Sequence, residues 1–286
     1  MFQLVAKMGR WLTFEGSASS TEMTLRQHLD ELRARVLRIL ICVTALTFFS
    51  IIFGFKPFEI NGFVLYLPYP DLFHNFSIQI TSFMQTALLP EGVKLIQTAP
   101  GQAFVAQLYV ACLVGLIGSM PVIIKEVYGF IAPAFDRRIK RAGTRTVFLP
   151  TIALFLTGIV FSYVAVIPLA LAFLYKWGQS MGVETFLTIN DFITFVLQFF
   201  LGFGIAFELP MIMYALSLTD LIEPKFWRHN FRYAIIILVI FGAIITPDGS
   251  GLTMWLVAAP MVALYAAGMI AIERKAARRV EIYAGP

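Results

Sequence analysis

Residues 24–41 read TLRQHLDELRARVLRILI. The stretch opens with charge and turns apolar within about three helical turns. Thr24-Leu-Arg-Gln27 fits a capping box, with Thr24 as N-cap and Gln27 reaching back. From there a helix carries His28, Glu31, Arg35 and Arg38 into an apolar run, and two adjacent acids, Asp30 and Glu31, stand among arginines at the point of entry. Helix physics supplies ordinary reasons for acids here. Glu31 and Arg35 form an i, i+4 pair worth ~0.2–0.5 kcal/mol, and the first turns of a helix favour negative charge. Neither reason explains the surrounding arginines. An acid in that setting is also a good counter-ion for an incoming guanidinium, which binds a carboxylate bidentately where an ammonium cannot.

What the segment enters follows from composition. The 286 residues are 59% hydrophobic and 14% charged, with a mean hydropathy of +0.80. Soluble domains carry roughly 25% charge, so the chain reads as an integral membrane protein. A spanning helix needs about 20 apolar residues. Six runs are candidates: Ile39–Phe55, Gly101–Ile124, Thr146–Tyr175, Phe192–Phe207, Tyr233–Pro247 and Gly249–Ile272. The fourth reaches full length only by running on through ELPMIMYALSL, 208–218. The fifth offers ~14 apolar residues, or about 21 Å, which predicts a locally thinned bilayer. The expected fold is therefore an all-α membrane protein with six transmembrane helices over 24–272, between tails at 1–23 and 273–286.

Charge orients these spans. Lys and Arg number six up to the opening of the first span, six in 125–145, three in 225–232 and four after the last span. The intervening loops carry two, one and none. The positive-inside rule then places both termini in the cytoplasm, and the expected location is the cell membrane. The net charge of +5 is spent on orientation, and no nucleic-acid role is expected. Residues 1–23 lack an apolar run ending in a cleavage site, so no signal peptide is expected. Cys42 and Cys112, both in apolar runs, read as buried small hydrophobes.

The loops carry their own signals. LFHNFSIQITSFMQTALL, 72–89, places Leu72, Phe76, Ile80, Phe83 and Leu88 at helical spacing, which predicts an amphipathic helix on the outer face. Pro121 and Pro133 bracket a compact cytoplasmic element. TPDGSG, 246–251, is a tight exterior turn.

Catalytic chemistry is not indicated. His28, His74 and His229 are scattered, no phosphate loop, nucleophile elbow or metal-binding helix motif occurs, and the spans offer hydroxyls without a base. No enzyme activity, metal or cofactor is expected. The isolated polar residue is Glu208, in QFFLGFGIAFELPMIMYAL. A charge at mid-bilayer costs about 2.5–3.5 kcal/mol even on insertion scales. It either satisfies backbone freed by Pro210, or holds a polar partner helix or takes part in proton movement. Gln198, ten residues earlier, extends a polar stripe on that helix.

Four motifs together resemble one family. HLDELRAR at 28–35, FIAPAF at 130–135, FGIAFELP at 203–210 and ITPDGSG at 245–251 look like TatC, the six-span receptor subunit of the twin-arginine protein translocase. Their order and spacing match from about Thr24 to Ile272. The resemblance implies a concave bundle without enzymatic activity or cofactor. Such a protein binds paired-arginine signal peptides at the cytoplasmic face. With TatA/TatB-type single-span partners it exports folded proteins on the proton-motive force, and it can form a homo-oligomer in the lipid bilayer. By motif, Glu31 would bind signal arginine, with His28, Leu32 and Arg33 shaping the surface. Glu208, with Gln198, would dock a partner helix, and Asp248 would lie at the outer end of that face. The chain departs from the family in two places. Ile139 stands where a second acid is usual, with Asp136 and Glu126 the nearest substitutes, and Ala266 replaces an acid in the last span. A small-solute or ion-coupled transporter is the alternative. It would show inverted repeats and several polar residues at the midplane, and neither is visible.

Overall fold

The computed structural model describes residues 25–60, 63–90, 92–131, 144–218, 222–246 and 249–283. The first helix, α1, spans Leu25–Ile52. Thr24, the expected N-cap, lies outside the described residues. Helix α1 sits at the edge of the bundle with Leu40, Ile41 and Phe48 exposed, as befits a lipid-facing helix.

The chain then forms a feature the all-α expectation lacked. Strands β1 (Phe53–Ile60) and β2 (Phe63–Pro70) pair antiparallel in continuous register from Phe53↔Pro70 to Ile60↔Phe63. Lys56 ties the hairpin to the following turn by an ion pair to Asp71 at 3.0 Å and lies over the Tyr69 ring. The fold is therefore mostly helical rather than all-α.

Helix α2 (Phe76–Leu88) starts on Asn75, whose side chain accepts the Ile78 amide at 3.1 Å. The expected amphipathic helix exists, but its packed stripe is rotated. Ser77, Thr81, Met84 and Leu88 are buried, whereas Leu72 and Phe83 are exposed. The helix faces protein through small hydroxyls that let it approach closely, and Phe83 instead stacks on Tyr163 at 5.9 Å.

After β3 (Leu95–Ile96), α3 (Gln102–Gly118) and α4 (Met120–Ile131) meet at a 54° bend at Ser119. Pro121 at the start of α4 lacks the amide that would continue the ladder. Helix α5 (Thr144–Phe161) passes through a π turn at Ser162–Val166 into α6 (Ile167–Ser180). Pro168 follows that turn, which absorbs the missing donor. Strand β4 (Leu187–Thr188) pairs parallel with β3, so the loops before the second and fourth runs meet at one end of the bundle.

Helix α7 (Ile189–Phe207) is the core. Phe192, Ile193, Val196, Phe199 and Phe203 are fully buried, and the rings of Phe195, Phe199, Phe203 and Phe207 lie against one another in successive turns, Phe199 on Phe203 stacked and the other two pairs tilted. Its crossing with α5 is close because Gly158 lacks a side chain. A Cβ there would stand 2.5 Å from the Phe203 carbonyl oxygen. Helix α8 (Leu209–Leu218) continues α7 after a break at Glu208. Then come α9 (Pro224–His229), α10 (Phe231–Ile245) and α11 (Gly251–Tyr283).

Among the described residues, four stretches are long and apolar enough to cross a membrane: Arg26–Ile52, Phe148–Ser180, Ile189–Ser217 and Gly251–Ala276. The bent α3–α4 pair makes a fifth if counted as one span, and α10 is a shorter apolar helix. The fourth expected run does reach full length through Pro210. Cys42 is half-buried and Cys112 exposed, correcting the buried reading. In a membrane helix an apolar run marks contact with lipid as readily as contact with protein.

Candidate functional site

The four residues His28, Glu31, Arg35 and Arg38 recur at helical spacing and share the face of α1 that meets α4. Arg35 donates Nε and Nη2 to Glu31 Oε1 at 3.1 and 2.5 Å. Its Nη1 reaches Glu126 on α4, at 3.2 Å from Oε2 and 3.3 Å from the backbone oxygen. Arg38 closes on the same carboxylate, with Nη1 2.7 and 2.8 Å from its two oxygens. Glu126 is 4% exposed, and a charge so enclosed persists only when paired. Gly129 makes the space, since a Cβ there would collide with Arg35 Nη1. One turn nearer the N-terminus, the His28 ring stacks on Phe130 at 4.4 Å.

Two carboxylates thus grip one guanidinium, a planar fork whose donors match carboxylate oxygens. One position is unused: Glu31 Oε2 is buried and has no hydrogen-bond partner. The expected residues divide accordingly. Glu31, Glu126 and His28 come together, while Leu32 and Arg33 lie on the exposed side of α1. Asp136 and Ile139 lie outside the described residues. Arg35 and Arg38 as partners of Glu126 were not foreseen. They are 91 and 88 residues from it in sequence, and only their charge hinted at the contact.

Glu208 caps the end of α7, with its amide donating to Ile205 O at 3.1 Å and its carbonyl accepting from Ile212 at 2.9 Å. Its side chain is 9% exposed, and Oε1 has no partner. The carboxyl is therefore enclosed at the α7–α8 break rather than displayed on an open surface. Gln198 lies about 15 Å away along the helix axis and opens onto a separate pocket beside Asn190 and Asp191. Asp248 lies outside the described residues. A further polar knot joins α9 to α11, with Arg228 bidentate on Glu273 at 2.7 and 2.6 Å and Tyr265 donating to Trp227 O at 3.1 Å.

The family model for Sec-independent protein translocase protein (TatC) matches residues 27–260. The chain belongs to the TatC family. The TatC of Cenarchaeum symbiosum (strain A) is 51% identical over 255 residues, covering 89% of this chain and 96% of that protein. The TatC of Listeria innocua is 33% identical over 248 residues, covering 86% and 90%. A crystal structure of the twin-arginine translocase receptor TatC superposes with a TM-score of 0.70 at 30% identity, covering 85% of this chain and 96% of that one. As the four motifs indicated, this TatC-family chain is a multi-pass membrane component of protein translocation, a non-enzymatic transport role. Membership does not favour the solute-transporter alternative.

Proposed function

We propose that this chain is the signal receptor of a twin-arginine translocase. It lies in the cell membrane with six spans, the bent α3–α4 pair and short α10 among them, and with both termini cytoplasmic. It binds paired-arginine signal peptides, assembles with TatA/TatB-type single-span proteins and passes folded cargo outward on the proton-motive force. The observation that carries this reading is the pair of carboxylates, Glu31 and Glu126, around one guanidinium.

In this structure the guanidinium is the chain's own Arg35, so an arriving signal arginine exchanges with it. Incoming and outgoing groups have the same charge and shape, which keeps the acids paired throughout. Oε2 of Glu31, buried and without a partner while Arg35 is in place, becomes available to the incoming guanidinium as Arg35 leaves. His28 borders the site, Leu32 and Arg33 on the exposed side of α1 meet the residues that flank the signal arginines, and Asp136 stands in the sequence where it can serve as an outer acid. Glu208, enclosed at the α7–α8 break with an unpartnered oxygen, is the polar group that a partner helix engages once that break opens, with Asp248 toward the outer end of that face.

The test is the affinity of the purified protein in nanodiscs for a paired-arginine signal peptide and its paired-lysine twin. Arginine is expected to bind at least tenfold tighter, which is about 1.4 kcal/mol, and Glu31→Gln to abolish the difference. Equal binding of the two peptides, or a preference that survives Glu31→Gln, overturns the assignment.

A further inference from the structure

The apolar part of α1 is shorter than a bilayer. Its last charged residue is Arg38, and the stretch 39–52 supplies about 21 Å of helix against a hydrocarbon core of ~30 Å. Strand β1 follows Ile52 without a linker. Residues 53–55 add about 10 Å of extended chain, so the next charge, Lys56, arrives at the far boundary. The lipid-facing side of α1 continues onto the strand, because exposed Phe49 stacks on Phe53 at 4.9 Å. The chain comes back to the same level at Asp71, whose amide donates to Ile52 O at 3.0 Å and whose carboxylate pairs with Lys56.

The ribbon is tied to the bundle at its base, where Phe55 meets Phe76 edge-on at 5.2 Å and its carbonyl accepts Gln79 Nε2 at 3.0 Å. Further out, opposite residues share a face, so Phe58, Leu65 and Leu67 lie on one side and Tyr66 on the other. Both sides are open. Leu65 is 51% exposed and Tyr66 63%, and Phe58, Leu67 and Tyr69 are exposed with them. From 57 to 70 the one charge is Glu59, and among the described residues no third strand pairs with either edge. In water a lone two-stranded ribbon is marginal, and bare apolar strands invite aggregation. A protein partner or a second copy covers one face of a sheet and leaves the other bare. A fluid phase surrounds both.

We propose that the β1–β2 hairpin is a membrane-interface anchor, embedded in the phospholipid headgroup layer at the end of α1. Its partner is the lipid surface itself. The Lys56–Asp71 pair holds the base at the hydrocarbon boundary. Tyr66 and Tyr69 suit the level above it, where amphipathic rings collect. Phe58, Leu65 and Leu67 reach the upper acyl carbons, while the unpaired backbone edges stay among hydrated headgroups, as they must outside the hydrocarbon. Standing upright, residues 57–60 would rise about 13 Å, beyond a headgroup layer of roughly 5–8 Å on each side, so the ribbon leans over along the surface. This anchor completes the length that α1 lacks. It requires only that α1 crosses the membrane, and it stands apart from the receptor reading.

The test is spin-label accessibility in the full chain, one copy per phosphatidylcholine nanodisc. Cys42→Ser and Cys112→Ser clear the two native thiols, and a single nitroxide is attached through Leu65→Cys or Tyr66→Cys, on opposite faces of the ribbon. Leu67→Cys repeats the reading on the first face, and Glu184→Cys, in an exposed loop, is the water reference. Each label is collided with oxygen, which concentrates in lipid, and with a nickel chelate, which stays in water. The oxygen-to-nickel ratio on both faces is expected to exceed the reference by about tenfold, a partition difference of about 1.4 kcal/mol. A ratio equal to the reference on either face puts the ribbon in water and overturns the proposal. Labels that neither reagent reaches mean that protein covers the ribbon, which overturns it as well.

Discussion

Arg35 shows how one side chain links two levels of the molecule. It satisfies Glu31 within its own helix and Glu126 across an interface, so the strength of the α1–α4 contact and the availability of the acids are a single quantity. The helical pair was legible in the i, i+4 spacing, and Glu126 was a candidate by sequence, but their convergence on one guanidinium needed the third dimension. At the other end, Asp71 offers a test by pH. Its carboxyl is held down from 3.8 to about 2, chiefly by hydrogen bonding to Lys56 and then by the Phe73 amide. His74 Nδ1 also lies 3.4 Å away. A depressed acid stabilises the fold fully above its unfolded value and loses that contribution as pH falls through the folded one. The Phe73 and His74 amides, both bonded to Asp71 Oδ1, are therefore expected to lose hydrogen-exchange protection between about pH 4 and pH 2. The same amides in Asp71→Asn should show no such transition. Unchanged protection in the native chain across that range sinks the clasp.

At the scale of elements, α7 and the hairpin make opposite points. A near-continuous apolar run with phenylalanine every fourth residue reads as a helix, and its continuation past Glu208 and Pro210 followed from the length a bilayer demands. The β1–β2 hairpin is only weakly marked in the sequence, although Asn61-Gly62 between aromatic-rich runs is a hairpin signal. Prolines at 57, 68 and 70 argue against strands, and side chains on β2 from Leu65 to Pro70 are all exposed, so no inward–outward alternation marks them. The α5–α7 crossing is likewise invisible in the sequence because one glycine among many decides it. Gly158→Val must push against the Phe203 backbone, which cannot yield as a side chain would. The expected loss is about 1–3 kcal/mol, read as a lower unfolding midpoint in detergent, with Gly158→Ala falling between. A midpoint equal to that of the parent chain refutes the close approach.

The whole molecule is uneven in thickness. Helix α10 has 15 residues, about 22 Å of helix, beside stretches of 27, 33 and 29 residues. With α10 as one of the six proposed spans, a hydrocarbon core of ~30 Å would have to thin around it, at fractions of a kcal/mol per Å. Unfolding midpoints measured in a series of lipids of decreasing chain length should therefore rise before they fall. A steady decline with thinner bilayers contradicts the expectation and would mean that the long helices set the match.

The sequence by itself determined the membrane character, the helical runs, the charge asymmetry between alternate loops and the family. Each of these is local or additive. Hydropathy and the demand that backbone polar groups be satisfied within lipid act on consecutive residues, and the four motifs are read in a row. The tertiary structure alone decided which polar atoms meet, Arg35 with Glu126 and Arg228 with Glu273, and which buried oxygens, those of Asn190 and Gln198 among them, go without a partner. It also decided which side of an apolar helix faces protein and which faces lipid, placing Cys112 outward and the hydroxyls of α2 inward. The reason is that lipid and protein interior are nearly equal solvents for an apolar side chain. Hydrophobicity alone cannot tell those two faces apart, and close packing and polar pairing across the fold make the choice.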